Sequence, residues 1–205
     1  MKDIMKQQNS KDWTGNSKAA FVTNGDSSHS KDERAEWDYY STDPHAVELL
    51  LELEKFAPNV WECACGEKHI ANVLTEAGYN VRCSDIIDRT GDIEILDFLN
   101  QNEEWDGSII SNPPYNKCRE FCEKAIETVT DGNKVAMFVK LTFLEGQGRR
   151  NFFKKYPPKT IYVSSARLNC AKNGRFDESK SSAVAYIWAI WQKGYQGPVE
   201  LKWFN

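Results

Sequence analysis

The 205-residue chain is expected to fold as one open α/β sheet with helices on both faces. Three observations predict this. Short apolar runs alternate with amphipathic segments from about residue 44 onward, the pattern of strands joined by helical crossovers. The length suits a single core and is short for two. Seven Trp, ten Phe and eight Tyr supply that core, although hydrophobic residues reach only 40% and charged residues make up 27%.

Each element has its own signal. Residues 1–35 are rich in Lys, Asn, Ser, Gly and Asp and read as a flexible arm, leaving 36–205 as the folded domain. Pro44 suits a first helical turn, and Val47, Leu50, Leu51 and Leu53 give an apolar face, predicting a helix over about 44–56. Val60 to Cys63 reads as a strand, His69 to Ala77 as a helix, Asn80 to Cys83 as a strand ending at Ser84-Asp85, and Gly107 to Ser111 as a buried strand. A helix over 117–130 carries Phe121, Cys122, Ala125, Ile126 and Val129 inward, and the strand Val135 to Val139 follows. Two more strands are expected, Thr160 to Ser165 and Ala183 to Trp191. In the second, Val184, Tyr186, Trp188 and Ile190 share one face, and Ala185, Ile187 and Ala189 the other.

Charge is unevenly spread. Residues 1–111 hold 10 Lys and Arg against 22 Asp and Glu, a net −12, whereas 112–205 hold 16 against 8, a net +8, so the overall −4 hides a basic half. Phosphate binding needs local cations, and Lys117, Arg149, Arg150, Arg167, Lys172 and Arg175 all lie in that half. The amino terminus has no cleavable signal pattern, and no apolar run approaches the roughly 18 residues of a membrane span, so a soluble cytoplasmic protein without membrane partners is expected. Six Cys without a regular framework fit a reducing compartment. The Cys63/Cys65 and Cys118/Cys122 pairs lack Cys-x-x-Cys spacing, and no metal site is assigned.

The strongest chemical signal is Asn112-Pro113-Pro114-Tyr115, directly after the apolar run 108–111. In an open α/β sheet, ligands bind beyond the carboxyl ends of the strands, where this turn lies. The lone pair of an exocyclic adenine amine is delocalised into the ring. Acceptors aimed at its two hydrogens favour the pyramidal, nucleophilic form, and the Asn112 side-chain oxygen and Pro113 carbonyl are suited to that task. Two consecutive prolines preset the backbone direction. Tyr115 offers a face on which a base turned out of its duplex can stack. Asp85, with Ile86 after it, ends a strand about 20 residues past Glu62, where an acid can accept the ribose hydroxyls of a nucleoside cofactor.

The turn resembles motif IV of the amino-methyltransferases, and the order of the other segments, from Tyr39 to Trp191, resembles phage-type DNA N6-adenine methyltransferases. Glu62-Cys63-Ala64-Cys65-Gly66-Glu67-Lys68 is similar to the family's Asp/Glu-Pro-x-x-Gly-x-Gly loop, which implies binding of the methionine end of S-adenosyl-L-methionine. Cys63 stands where Pro is usual and Lys68 replaces the last Gly. Asp97-Phe98 resembles the segment that pairs an acid with the cofactor's adenine amine and packs an aromatic on its ring. Tyr39-Tyr40-Ser41-Thr42-Asp43-Pro44 resembles motif X, implying contacts to the methionine part through Tyr39, Tyr40, Thr42, Asp43 and Pro44. Lys140 to Gly146 resembles the corresponding segment of those phage-type enzymes, which implies that Phe143 helps enclose the target base; a core aromatic is the other reading of that residue.

The resemblance implies a Rossmann-like class I methyltransferase fold, open and mostly parallel with an antiparallel last strand. It also implies methyl transfer from S-adenosyl-L-methionine to the N6 amine of adenine in DNA by direct in-line displacement. Too little sequence separates Asp85 from Asn112 for a recognition domain, so the basic loop at about 166–182 is expected to read the target. Adenine in RNA and a protein glutamine amide present the same planar amino group and stay open as targets. The departures at Cys63 and Lys68 leave open a cofactor- and nucleic-acid-binding module without catalysis. Oligomeric state is not set by these motifs.

Overall fold

Val60 and Trp61 on β2 (Asn59–Glu62) and Ile109 and Ile110 on β5 (Ser108–Ser111) are wholly buried, as unbroken apolar runs require of strands covered on both faces. The computed structural model describes residues 40–166, 168, 170–172 and 184–205. The amino-terminal arm, Tyr39, Arg167, Arg175 and most of the loop at 166–182 lie outside the described residues.

Around β2 and β5 the chain lays down β3 (Asn80–Asp85), β4 (Glu94–Ile95), β6 (Lys134–Lys140), β7 (Thr160–Ser164), β9 (Tyr186–Gln192) and β10 (Glu200–Phe204). The sheet order is β10-β7-β9-β6-β5-β2-β3-β4. Only β9 runs against its neighbours, pairing antiparallel with both β6 and β7. From β2 the chain first builds outward through β3 and β4, then returns to β5 on the other side. That reversal opens a crevice at the carboxyl ends of β2 and β5.

Helices α1 (Pro44–Leu53) and α2 (His69–Glu76) cover one face, packing Val47, Leu50, Ile70 and Leu74 on Val60, Ile110, Phe138 and Trp188. Helix α3 (Cys118–Thr128) and the short α4 (Arg150–Lys155) cover the other. There Phe121, Cys122, Ala125, Ile126 and Phe152 meet Trp61, Ile109, Met137, Ile187 and Ala189. The alternation predicted for β9 is observed: Tyr186, Trp188 and Ile190 face the first core, Ile187 and Ala189 the second.

Three features differ from expectation. Helix α1 stops at Leu53 rather than residue 56, because Glu54 turns into extended backbone (φ −130°, ψ 146°). Its carboxylate there accepts from Lys134 Nζ (2.5 Å) and the Tyr162 hydroxyl (2.8 Å). Leu53 is consequently exposed, and Ala46 and Leu49 take its place on the buried face. The antiparallel strand is not the end of the sheet, since β10 follows it and pairs parallel with β7. A separate ribbon, β1 (Tyr40–Thr42) with β8 (Cys170–Lys172), joins two segments whose sequence distance hid the pairing.

Candidate active site

At the switch point the ends of β2, β3 and β5 enclose a cleft of about 450 Å³. Its walls bring together Tyr40 and Thr42 from β1, Glu62, Cys63 and Ala64 at the end of β2, Asp85 and Ile86 at the end of β3, and Asp97 with Phe98. The turn Asn112-Pro113-Pro114-Tyr115 and Lys117 complete it. Segments 72 residues apart, at Tyr40 and Asn112, meet in direct contact.

Asn112 is the best defined group. Its Nδ2 donates to the Tyr40 carbonyl (2.8 Å) and lies 3.9 Å from Cys170 Sγ. Its Oδ1 is buried and has no hydrogen-bond partner among the described residues. Buried acceptors are rarely left unpaired, and an orphan on the wall of a cleft marks a place for a ligand donor. Because the nitrogen is committed to a backbone carbonyl, the amide cannot turn over without losing that bond.

Tyr115 is held on several sides. Its ring stacks on Tyr40 (centroids 4.8 Å apart, 28°), Lys140 Nζ sits 4.3 Å from its centroid, and its hydroxyl is 3.0 Å from that of Tyr186. Burial raises the phenol well above its usual range and raises Cys170 to about 11, so both stay neutral. Burial likewise pushes the Cys63 thiol far up, so neither Cys63 nor Cys170 offers a thiolate nucleophile to the cleft.

The loop after β2 explains its own departures. Gly66 (φ 52°) donates its N–H to Asp85 Oδ2 (2.9 Å), tying the loop to the end of β3. Lys68, where the resembling family has Gly, adopts φ 63° in the left-handed region that favours glycine. The loop therefore keeps a glycine's backbone at Lys68, and its ammonium is held by Asp92 at 2.6 Å. Cys63 is buried against the core. The Glu62 carboxylate is buried, accepts from the Ala71 N–H (2.8 Å) and titrates well above its usual range because of desolvation.

The remaining candidates divide. Asp85 Oδ1 accepts from the Ile87 N–H (3.2 Å) with Arg89 at 3.6 Å, and carboxylate lone pairs remain for further donors. Ile86 is 51% exposed at the rim, while Phe98 is fixed edge-on to Trp61 and against Phe121. Asp97 is exposed and caps its own turn, accepting from the Leu99 N–H. Asp43 and Pro44 lie off the cleft wall: Asp43 caps α1 through the His45 N–H (3.0 Å), and Pro44 is its first residue.

Of the two readings of Phe143, the structure places it in the core and not on the cleft wall. It is 4% exposed and packs against Phe152 and Phe153, because the short turn at Leu141–Leu144 drives it inward. Arg149 fastens that turn, donating to the Thr142 and Glu145 carbonyls. Arg150 is exposed, and Lys172 lies on β8. The sequence reading missed His69, Arg89 and Phe121 on the cleft wall, and the part played by Cys170. For Cys170 only the ribbon pairing reveals it.

No protein-family model matches the chain, and no curated protein matches its sequence. Solved structures do. A putative class I S-adenosylmethionine-dependent methyltransferase from Listeria monocytogenes aligns with 84% of this chain and 68% of its own, at TM-score 0.56 and 15% identity. A putative RNA methyltransferase from Pyrococcus horikoshii aligns with 86% and 98%, at TM-score 0.57 and 16% identity. The type IIG restriction endonuclease BpuSI matches 83% of this chain over 27% of its own length, at TM-score 0.58 and 14% identity. The chain thus has the Rossmann-like fold of class I methyltransferases, with a polar-ended cleft at its switch point.

Proposed function

We propose that the protein is an S-adenosyl-L-methionine-dependent methyltransferase acting on the N6 amine of adenine in DNA. The observation that carries this reading is the Asn112 Oδ1, buried and without a partner among the described residues, and oriented by its own Nδ2 on the wall of a nucleoside-sized cleft. The residues present fit the cofactor: Glu62 and the loop to Gly66 suit an aminoacyl end, Asp85 a ribose, and Ile86, Asp97 and Phe98 an adenine. Bound there, the cofactor supplies an electrophilic methyl group on a positively charged sulfur.

The chain's own task is to present the acceptor amine. Asn112 Oδ1 and the Pro113 carbonyl accept its two hydrogens and favour its nucleophilic shape, acting by orientation and electrostatics. A target base that stacks on Tyr115 takes the place of the Tyr40 side chain on that ring, while the Tyr40 carbonyl keeps hold of Asn112. The basic carboxy-terminal half and the loop at 166–182, with Arg167, Lys172 and Arg175, are the candidate DNA-reading surface, joined by Lys117 and Arg150. Among the aligned proteins the restriction endonuclease favours DNA; the putative RNA methyltransferase supports RNA adenine as the second reading.

Asn112→Ala is expected to bind S-adenosyl-L-methionine as the parent does in calorimetry and to lose about 100-fold or more of its methyl transfer. Labelled methyl offered to plasmid DNA, total RNA and a release factor should appear in DNA as N6-methyladenine. Undiminished transfer by Asn112→Ala, or label only in RNA or protein, overturns the assignment.

A further inference from the structure

Strand β10 ends the sheet, and among the described residues nothing pairs with its outer edge. One exposed side of it is apolar: Val199, Leu201 and Trp203 are 46%, 52% and 64% exposed, in line with Ile161 and Val163 of β7. Open edges of this kind are templates for another strand and are ordinarily blunted by charge, proline or a bulge on the exposed face. Here the charges, Glu200 and Lys202, lie on the opposite face and pair with each other at 2.6 Å.

The backbone fixes which groups are free. The Glu200 N–H donates to the Lys159 carbonyl (2.9 Å) and the Phe204 carbonyl accepts from the Ser165 N–H (3.2 Å). Even-numbered residues therefore spend their backbone groups on β7, and residues 201 and 203 direct theirs outward.

We propose that the protein forms a two-fold symmetric dimer through antiparallel pairing of β10 with β10 of a second copy, centred on Leu201. In that register Leu201 faces its own counterpart as a hydrogen-bonded pair, and Val199 faces Trp203 on the apolar side. Glu200 of each copy faces Lys202 of the other, giving two cross-strand ion pairs. Centring on Glu200 or Lys202 instead sets like charges opposite each other and presents the spent backbone groups. The sequence Val-Glu-Leu-Lys-Trp is self-complementary in this one register, as an isologous interface requires. The result is a continuous sheet across both copies, with the two clefts far from the seam. A five-residue edge is small for an interface, so the dimer is reversible and concentration-dependent. The inference is independent of the chemistry of the cleft.

Sedimentation equilibrium of the full chain over a wide concentration range tests it. The parent is expected to pass from monomer to dimer. Glu200→Lys and Lys202→Glu each place like charges across the seam and should weaken dimerisation about tenfold. An equimolar mixture of the two variants should recover the parent's affinity as a heterodimer, which also shows that both are folded. Leu201→Pro removes an outward N–H without touching the β7 ladder and should leave a monomer. A parent that stays monomeric at high concentration, or single variants that dimerise like the parent, overturns the proposal.

Discussion

Asn112 has one amide nitrogen and one amide oxygen, and the fold commits the first and leaves the second open. Glu62 is the other residue whose environment makes a testable statement. Its carboxyl is pushed up by burial, so the folded protein holds that proton more tightly than the unfolded chain does. Stability from this group is therefore greatest below the ordinary carboxyl range and falls as pH rises toward the raised value. A cationic ligand prefers the ionised form, so S-adenosyl-L-methionine affinity should climb with pH through the same interval, with proton release on binding. Calorimetry in buffers of different ionisation enthalpy should show both effects, and Glu62→Gln should flatten the profile. A variant that keeps the parent's pH dependence removes Glu62 from cofactor binding.

At the scale of elements, the approach to β5 leaves no room for a side chain at Gly107. A Cβ on Gly107 would lie 2.5 Å from the Asn59 carbonyl oxygen and 2.7 Å from Trp105 Nε1, which itself donates to the Ser108 carbonyl. Neither neighbour is the free end of a flexible side chain. Gly107→Ala should cost about 1–3 kcal/mol in urea unfolding, because β2 and Trp105 must part to admit a methyl group. The same strand delivers Asn112, so the variant should also lose transfer activity at temperatures where it is still folded. An unchanged unfolding midpoint removes this close approach as a constraint.

For the whole molecule, the tie that joins the first helix to the far half of the sheet is Glu54. Its carboxylate takes Lys134 from β6 and Tyr162 from β7, and it is nearly buried. Lys134→Met leaves that carboxylate with a hydroxyl partner alone and should destabilise the fold by about 3 kcal/mol, read by chemical denaturation. The double variant Glu54→Gln/Lys134→Met should recover part of the loss, since no charge is then stranded. If the single and double variants unfold alike, the pair does not carry the connection.

The sequence by itself determined the α/β alternation, most strand and helix positions, and the turn at Asn112 to Tyr115, because periodicity and proline chemistry are local. It also marked the segments that end at Glu62, Asp85 and Asp97, which the strand ends gather into one cleft. It left out β10, although Val-Glu-Leu-Lys-Trp alternates as a strand should, and it left Phe143 between a base contact and the core, because its burial depends on α4 packing beneath it. Only the tertiary structure decided that Tyr40 and Cys170 converge on Asn112, through a two-stranded ribbon between segments far apart in the chain. The same holds for Lys68, whose left-handed backbone is one that glycine adopts more readily than lysine. Backbone angles and long-range pairings arise from contacts that no local pattern encodes, and here those contacts leave the Asn112 oxygen without a partner among the described residues.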